Sequence, residues 1–598
     1  MDPHTPPMTP DRLLVSLNPD QRAAVTSTAD SLVVIAGAGT GKTRVLAARI
    51  VRLVRLEGVE PEAVLAFTFT RAAASELRGR IQDALGLEAE RVEITTIHAW
   101  AMSLLRLAGG PEASLQVAEE AEVEEELGRL YEGATRRPEA AQCGIRKLRE
   151  AIGHMETHGW NPELESAGTS SRDVAARQLL RVLLARLRQS YLIPYAAILP
   201  ALATHIGGCV PLDHEGPCAA CERLAAYRHV LVDEAQDLSE LEQRIIRFLG
   251  EEARRLYVLD PRQSVYGWRG AQPLKPSDAT AVQPLRQGYR YGAELAARAA
   301  AVGRECYGGG WEWLEDHTVT LTPAPHETPV AEIKLSTEQL EDVEDLSPLD
   351  PLEILLRHVP PARYGGGAVL TRTNRVADLI VDREPNRFHR VRNVVEDPLR
   401  AAMAMARLSL NHANPSACAH LLRVQGMTDT QIEIHRGRAG RRRSLLAQMR
   451  TMDVAEIPSL MAFLPEEGAA RRLPFASVFA AVCTVRPDWA DQRDGILERL
   501  DRTGISEAPL PHALDRLADE LRLDGAGWDY AARHELVGVG TVHGAKGREW
   551  DHVAVVTHAG SWPAPGTDPE EWRTLYVALT RARRSVRILE LPESWRPW

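Results

Sequence analysis

The run Ala36-Gly37-Ala38-Gly39-Thr40-Gly41-Lys42-Thr43 sets small residues, one lysine and a hydroxyl at a spacing suited to phosphate. Glycines let a backbone turn its N–H groups inward around an anion, and a helix beginning at the lysine adds positive potential. Lys42 would reach the β and γ phosphates of a nucleotide, Thr43 would ligate magnesium, and Arg44 continues the same binding segment. Ala36 stands where the G-x-x-x-x-G-K-[ST] pattern begins with Gly. A second group, Asp233-Glu234-Ala235-Gln236-Asp237, follows the apolar run Val230-Leu231-Val232. Asp233 would hold magnesium, and Glu234 beside it would polarise an attacking water.

Both groups need a strand that ends in a loop. Leu32 to Ile35 supplies one before the glycines, Val230 to Val232 supplies the other, and Val64 to Phe67 and Leu256 to Leu259 have the same character. Short apolar strands followed by helical patterns predict parallel α/β architecture. Similar runs at Ala368 to Leu370, Val553 to Val556 and Val586 to Leu589 predict a second sheet. The Ala/Leu/Arg/Glu-rich stretches 101–225 and 400–534 carry poor strand signals and read as helical insertions. The acid clusters Glu119 to Glu126 and Glu338 to Asp345 read as solvated faces.

A chain of 598 residues exceeds what one core supports, so roughly three to five domains or subdomains are expected. Hydrophobic residues at 44% and charged residues at 26% exclude wholesale disorder. The formal charge is 71 − 82 = −11, so any contact with nucleic acid must come from a local channel rather than a basic coat. Seven cysteines, an odd and sparse set, fit a reducing cytoplasm. The N-terminus lacks the basic and apolar regions of a secretory signal. Tyr191 to Leu212 contains no Asp, Glu, Lys or Arg, but Pro194, Pro200, Pro211 and Gly207-Gly208 break it. A buried helical hairpin is expected there, not a membrane span.

With these motifs placed, the chain between Val15 and Glu590 resembles the UvrD/Rep/PcrA-type DNA helicases of superfamily I. The resemblance implies two RecA-like P-loop cores with parallel sheets, each carrying a mainly helical insertion. The first core would comprise 1–100 and 226–290, with the insertion 101–225 between; the second would comprise 291–399 and 535–598, with a reduced insertion at 400–534. Leu17-Asn18-Pro19-Asp20-Gln21 resembles the Q motif, in which Gln21 would read the adenine edge. Ala66 to Ala74 resembles motif Ia and Thr95 to Trp100 the segment after it, implying DNA contacts from Phe69, Thr70, Thr96 and His98. Asp260 to Ala271 is similar to motif III: Gln263 would sense the γ-phosphate while Tyr266 and Trp268 stack on bases. Leu259 and Pro261 depart from that motif where Gly and a second Asp are usual.

Gly288-Tyr289-Arg290 resembles motif IV, implying Tyr289 against adenine and Arg290 on the γ-phosphate. Gly540 to Trp550 resembles motif V, with Glu549 on the ribose and His543 facing DNA. Tyr576 to Ala582 resembles motif VI, which makes Arg581 the arginine finger. Trp562 would extend the stacking track. ATP, Mg2+, single-stranded DNA and duplex junctions are thus the implied ligands, with 3′ to 5′ movement. The alternatives are a motor subunit whose nuclease or repair partner is a separate chain, and a translocase that remodels protein–DNA complexes without unwinding alone.

Two features lie outside the resemblance or at its edge. Cys209, His214, Cys218 and Cys221 fall within 13 residues just before Asp233, a count and spacing that suit zinc, buried free thiols or, third, an iron–sulfur centre. Arg436, Arg438 and Arg441 to Arg443 form a basic run that reads either as a duplex-phosphate patch or as a solvated helix face; Val424 to Thr428 precedes it where relatives carry a Gly-Ile-Gly turn.

Overall fold

The computed structural model describes residues 15–118, 120–132, 144–159, 171–208, 218–249, 252–308, 310–317, 322–334, 356–359, 367–391, 397–410, 415–424, 427, 431–432, 449, 461–464, 467–486, 489–502, 504–522, 528, 531, 535–559, 562–563 and 568–592. The chain divides into two compact units. Met1–Thr96, Leu224–Asn393 and Leu523–Trp598 form the first, and Ile97–Arg223 with Val394–Arg522 the second.

The first unit holds two parallel six-stranded sheets. In one, the order is Glu93–Thr95, Val64–Phe67, His229–Val232, Arg254–Leu259, Ser31–Ala36 and Ala281–Leu285. Val64–Phe67 is buried throughout, as is Leu32–Ala36, which explains the near-continuous apolar runs: a parallel strand covered on both faces has no solvent side to alternate with. Ile35 pairs with Leu259 and Phe67 with Val232, so these strands end level and their following loops gather at one edge. That carboxyl edge is where open parallel sheets bind ligands. The helix Lys42–Arg55 then packs Val45, Leu46, Ile50 and Leu53 into the core beneath.

The other sheet runs Phe388–Arg390, Val537–Thr541, Gly367–Thr371, Trp550–His558, Ala582–Leu591 and Val330–Lys334. Its three expected strands are present, together with three the apolar runs did not mark. Val330–Lys334 has no buried position, only exposed and half-buried ones, because it lies at the sheet's edge.

Helices dominate the second unit, with one parallel strand pair, Gln116–Ala118 beside Leu192–Pro194. Its core clusters Leu421, Phe475, Phe479, Leu500 and Leu514. The uncharged stretch near residue 200 contributes that short strand and the helix Tyr195–Gly208, with Pro200 inside it. No described helix is long and apolar enough to cross a membrane.

Within the acid cluster at 119–126, Glu120 is exposed as expected, but two of the acids are not solvated. Glu122 is 0% exposed and pairs at 2.6 Å with Arg407, also 0% exposed. Glu126 is buried as well, beside Arg129 and with Arg186 at 3.5 Å. The helix Glu120–Glu132 turns Glu122 and Glu126 inward, where Arg407 and Arg186 from distant positions meet them, information that no local charge count carries. The Glu338–Asp345 cluster lies outside the described residues. Removing one partner of a buried pair strands the other charge, so Arg407→Met should cost the second unit about 3–5 kcal/mol. Glu122→Gln with Arg407→Met should recover most of it in denaturant unfolding; equal losses would show that the pair is not what matters.

Candidate nucleotide and DNA site

The phosphate loop is shaped by two left-handed glycines, Gly39 at φ 76° and Gly41 at φ 90°. A Cβ on Gly39 would meet the Arg290 Cβ at 2.4 Å, and one on Gly41 would meet the Gln21 side-chain nitrogen at 2.7 Å. Any larger residue would fill the cradle. Thr40 donates its hydroxyl to Gly37 O at 2.8 Å and closes the loop, while Ala36 ends the strand and Ala38 is buried. Gln21 reaches this loop because Asn18 and Gln21 cap each other's helix start; its amide then donates to Thr40 O at 3.0 Å. Tyr289 is bound to the same corner, its N–H donating to Gly39 O at 2.9 Å and its hydroxyl accepting from Asn18 at 2.9 Å. Arg44 donates to Ser16 O at 3.1 Å.

Lys42, the first residue of its helix, lies 3.0 Å from Glu234. Glu234 sits at φ 49°, ψ 41°, a left-handed conformation that costs a non-glycine residue about 1–3 kcal/mol and aims its carboxylate at the lysine. The adjacent acids diverge. Burial and then the Glu234 charge raise Asp233, whereas Lys42 and Lys546 overcome the burial of Glu234 and hold it well below the usual carboxylate range. Glu234 is therefore ionised near neutrality. Thr43 and Asp233 fit a magnesium ion, since a carboxylate pushed toward its neutral form by burial and a like charge is a donor that a dication relieves.

Opposite stand residues of the second sheet and its approaches. The cavity is about 1070 Å³ and is lined by Lys42, Thr43, Asp233, Glu234 and Gln263 on one side and by Glu549 and Arg581 on the other. Arg581 is buried, and burial followed by the neighbouring Arg290 lowers its pKa to about 10. Its guanidinium donates to the Gln263 side-chain oxygen at 3.0 Å. Arg290 pairs with Glu549 and donates to Thr580 O at 2.9 Å; Glu549 also accepts from Arg583 at 3.1 Å. Of the expected nucleotide-site residues, Gln21, Lys42, Thr43, Arg44, Asp233, Glu234, Gln263, Tyr289, Arg290, Glu549 and Arg581 line this cavity with Ala38, Gly39 and Gly41 of the loop, whereas Ala36, Gly37 and Thr40 are not part of its lining.

One residue with no assigned role proves central. Lys546 donates to both Asp237 oxygens, at 2.7 and 2.6 Å, and to Gln263 O at 2.5 Å, and its ammonium lies 4.8 Å from the Tyr266 ring centre. Behind it, Arg262 pairs with the fully buried Asp260 at 2.8 Å and covers the ring of Tyr576 at 4.9 Å. A lysine inside a motif was visible in the sequence; its acid, some 300 positions away, was not.

The expected DNA residues separate into groups. Phe69 and Tyr266 stack with ring centres 5.2 Å apart, and Trp268 and His543 each lie near Tyr266, at 6.4 and 6.2 Å. Tyr266 is only 9% exposed, while Trp268 is 69% exposed and presents an open indole face. Burial, then Arg372 and Lys546, lower His543 to about 4, leaving a neutral imidazole. Thr70 caps the helix Arg71–Leu85, its hydroxyl accepting from Ala73 N, and Thr96 is buried at a strand end. His98 belongs to the second unit, where it is buried and stacked on Tyr195 at 3.9 Å. Trp562 corrects the expectation of a stacking platform: it is 6% exposed, packed in the apolar cluster of the second sheet, so its ring faces are already covered.

Comparison with known proteins agrees with this geometry. Residues 17–279 match the UvrD/REP helicase N-terminal domain and residues 536–589 the UvrD-like helicase C-terminal domain. The chain belongs to the UvrD/REP helicase family. DNA helicase II of Escherichia coli is 30% identical over 301 residues, covering 48% of this chain and 40% of that protein. ATP-dependent DNA helicase UvrD1 of Mycobacterium tuberculosis is 30% identical over 320 residues, covering 50% and 40%. DNA helicase II of Haemophilus influenzae is 25% identical over 647 aligned positions, 96% of this chain and 84% of its own length. The chain thus spans less than half the length of the first two relatives. The two-core α/β arrangement is that of a UvrD-like helicase.

The remaining expected features are not all accessible. Cys218 and Cys221 are close together, whereas Cys209, His214, the basic run Arg436 to Arg443 and most of Val424 to Thr428 lie outside the described residues.

Proposed function

We propose that this UvrD-like chain is an ATP-driven DNA helicase or translocase that moves 3′ to 5′ along single-stranded DNA. The observation that carries the reading is the hydrogen bond from Arg581, on the second core, to Gln263, on the first, at the mouth of the cleft holding Lys42 and Glu234. A nucleotide bound there contacts both rigid bodies. Lys42 holds phosphate charge from one side, Arg290 and Arg581 from the other, and ionised Glu234 accepts the proton of the attacking water. A magnesium ion on Thr43 and Asp233 would supply charge neutralisation of the phosphates. Gln263 directly precedes Ser264 and is three residues from Tyr266, so a change in its bonding to Arg581 is passed along a short segment to the rings of Tyr266 and Trp268. Stacking tolerates any base, and each base–aromatic contact is worth about 1–3 kcal/mol.

The names of the relatives support DNA as the track, and the resemblance of motifs Ia, III and V to the UvrD-like branch supports the polarity. Strand displacement decides it. Duplexes with only a 3′ single-stranded tail should open in ATP and Mg2+, and those with only a 5′ tail should stay closed. Preferential opening of the 5′-tailed duplex would reverse the polarity. Opening of neither, with DNA-stimulated ATP hydrolysis intact, would identify a translocase or a motor that works beside a separate nuclease or repair chain.

A further inference from the structure

We propose that His205, Cys218 and Cys221 of the second unit form a zinc site. His205 lies in the last turn of the helix Tyr195–Gly208. Cys218 directly precedes the helix Ala219–Ala226, and Cys221 is in its first turn; Glu222 N donates to Cys218 O at 3.0 Å and closes that turn. A C-x2-C pair wrapped on one helical turn projects both sulfurs to the same side. The ligand atoms of the three residues all lie within 4.8 Å of one another, and all three side chains are half-buried. Among the described residues no other group of three His, Cys, Asp or Glu side chains meets that spacing.

The distances match a coordination shell. Zinc binds sulfur at about 2.3 Å and imidazole nitrogen at about 2.0 Å, and two such ligands at a tetrahedral angle stand about 3.5 Å apart. His205 Nε2 and Cys218 Sγ are 3.4 Å apart. The donor set points to the same ion. Two thiolates and an imidazole with no carboxylate suit zinc and are poor ligands for magnesium or calcium, and the N–H groups of a helix start favour the negative charge that a thiolate ligand carries. Among the described residues the imidazole beside the two thiols is that of His205; His214, to which spacing points, lies outside them. The helix Tyr195–Gly208 is what carries the His205 imidazole to the thiols. An ion held here would tie the end of the helix Tyr195–Gly208 to the start of the helix Ala219–Ala226.

Cobalt(II) is the probe, because thiolate ligation produces charge-transfer absorption that zinc then abolishes. The full-length chain, stripped with a chelator and titrated with cobalt, should bind about one ion per chain and lose the absorption on addition of zinc. Cys218→Ser and Cys221→Ser should each lose most of the charge-transfer intensity. His205→Ala should weaken cobalt binding at least about tenfold, and His214→Ala should leave it unchanged. Wild-type protein also gives a readout independent of any variant: zinc should slow amide exchange in residues 218–226. No metal uptake, with exchange unaltered by zinc, would overturn the site and leave a thiol–imidazole hydrogen bond. Loss of binding in His214→Ala but not His205→Ala would overturn the ligand assignment.

Discussion

Arg581→Ala should lower ATP turnover by about 10³-fold or more while leaving nucleotide affinity nearly unchanged. The reason is geometric. Arg581 comes from the sheet opposite the phosphate loop and is held by Gln263 at 3.0 Å, so in the proposed mechanism its charge would meet the transferring phosphoryl group only when both cores are engaged. An interaction made chiefly in the transition state lowers kcat without a matching change in KM. Lys42→Ala is the contrast. Lys42 opens the helix of the phosphate loop, and its loss should abolish turnover and weaken nucleotide binding together, with single-stranded DNA binding retained on the separate aromatic cluster. Steady-state kinetics and equilibrium binding of a fluorescent nucleotide separate the two. Parallel loss of binding and turnover in Arg581→Ala would make it an ordinary phosphate ligand, and near-normal turnover in Lys42→Ala would remove the site.

Lys546→Met should uncouple DNA from ATP hydrolysis and destabilise the first unit. The ammonium is 5% exposed and its acid, Asp237, 1%. Burial pushes Asp237 up to about 6 even with Lys546 beside it, so the carboxylate depends on that lysine for its charge. Removing Lys546 leaves a buried acid without its partner, a loss of about 3–5 kcal/mol. It also frees the backbone of Gln263 and the ring of Tyr266, the points where the nucleotide cleft meets the aromatic cluster. ATP turnover measured with and without single-stranded DNA should therefore show stimulation reduced to near the basal rate. Adding Asp237→Asn should restore much of the stability and none of the stimulation. Equal stability of the single and double variants would assign the pair no structural part, and full stimulation in Lys546→Met would remove it from the coupling route.

The chemistry-bearing types were legible from residue order because each lies next to a local feature that names it. Gly39, Gly41, Lys42 and Thr43 follow a buried strand, Asp233 and Glu234 follow another, and the left-handed glycine angles are what that spacing requires. The parallel strands announced themselves as apolar runs for the same reason: coverage on both faces removes polar alternation. Edge strands such as Val330–Lys334 did not, since one side meets solvent.

Local pattern therefore determined the presence of two parallel sheets, the phosphate loop and the acids after the strand His229–Val232, while the resemblance of the later motifs pointed to Arg290 and Arg581. Tertiary structure alone decided which charges are buried and with whom. Glu122 was read as solvated and is sealed against Arg407; Trp562 was read as a base platform and is core; His205 carried no signal and meets Cys218; Lys546 finds Asp237 across the cleft. In each case the deciding partner is supplied by another element of the fold, and the energy of a buried charge or ring depends on that partner and on the water it excludes, neither of which is written in the neighbouring residues.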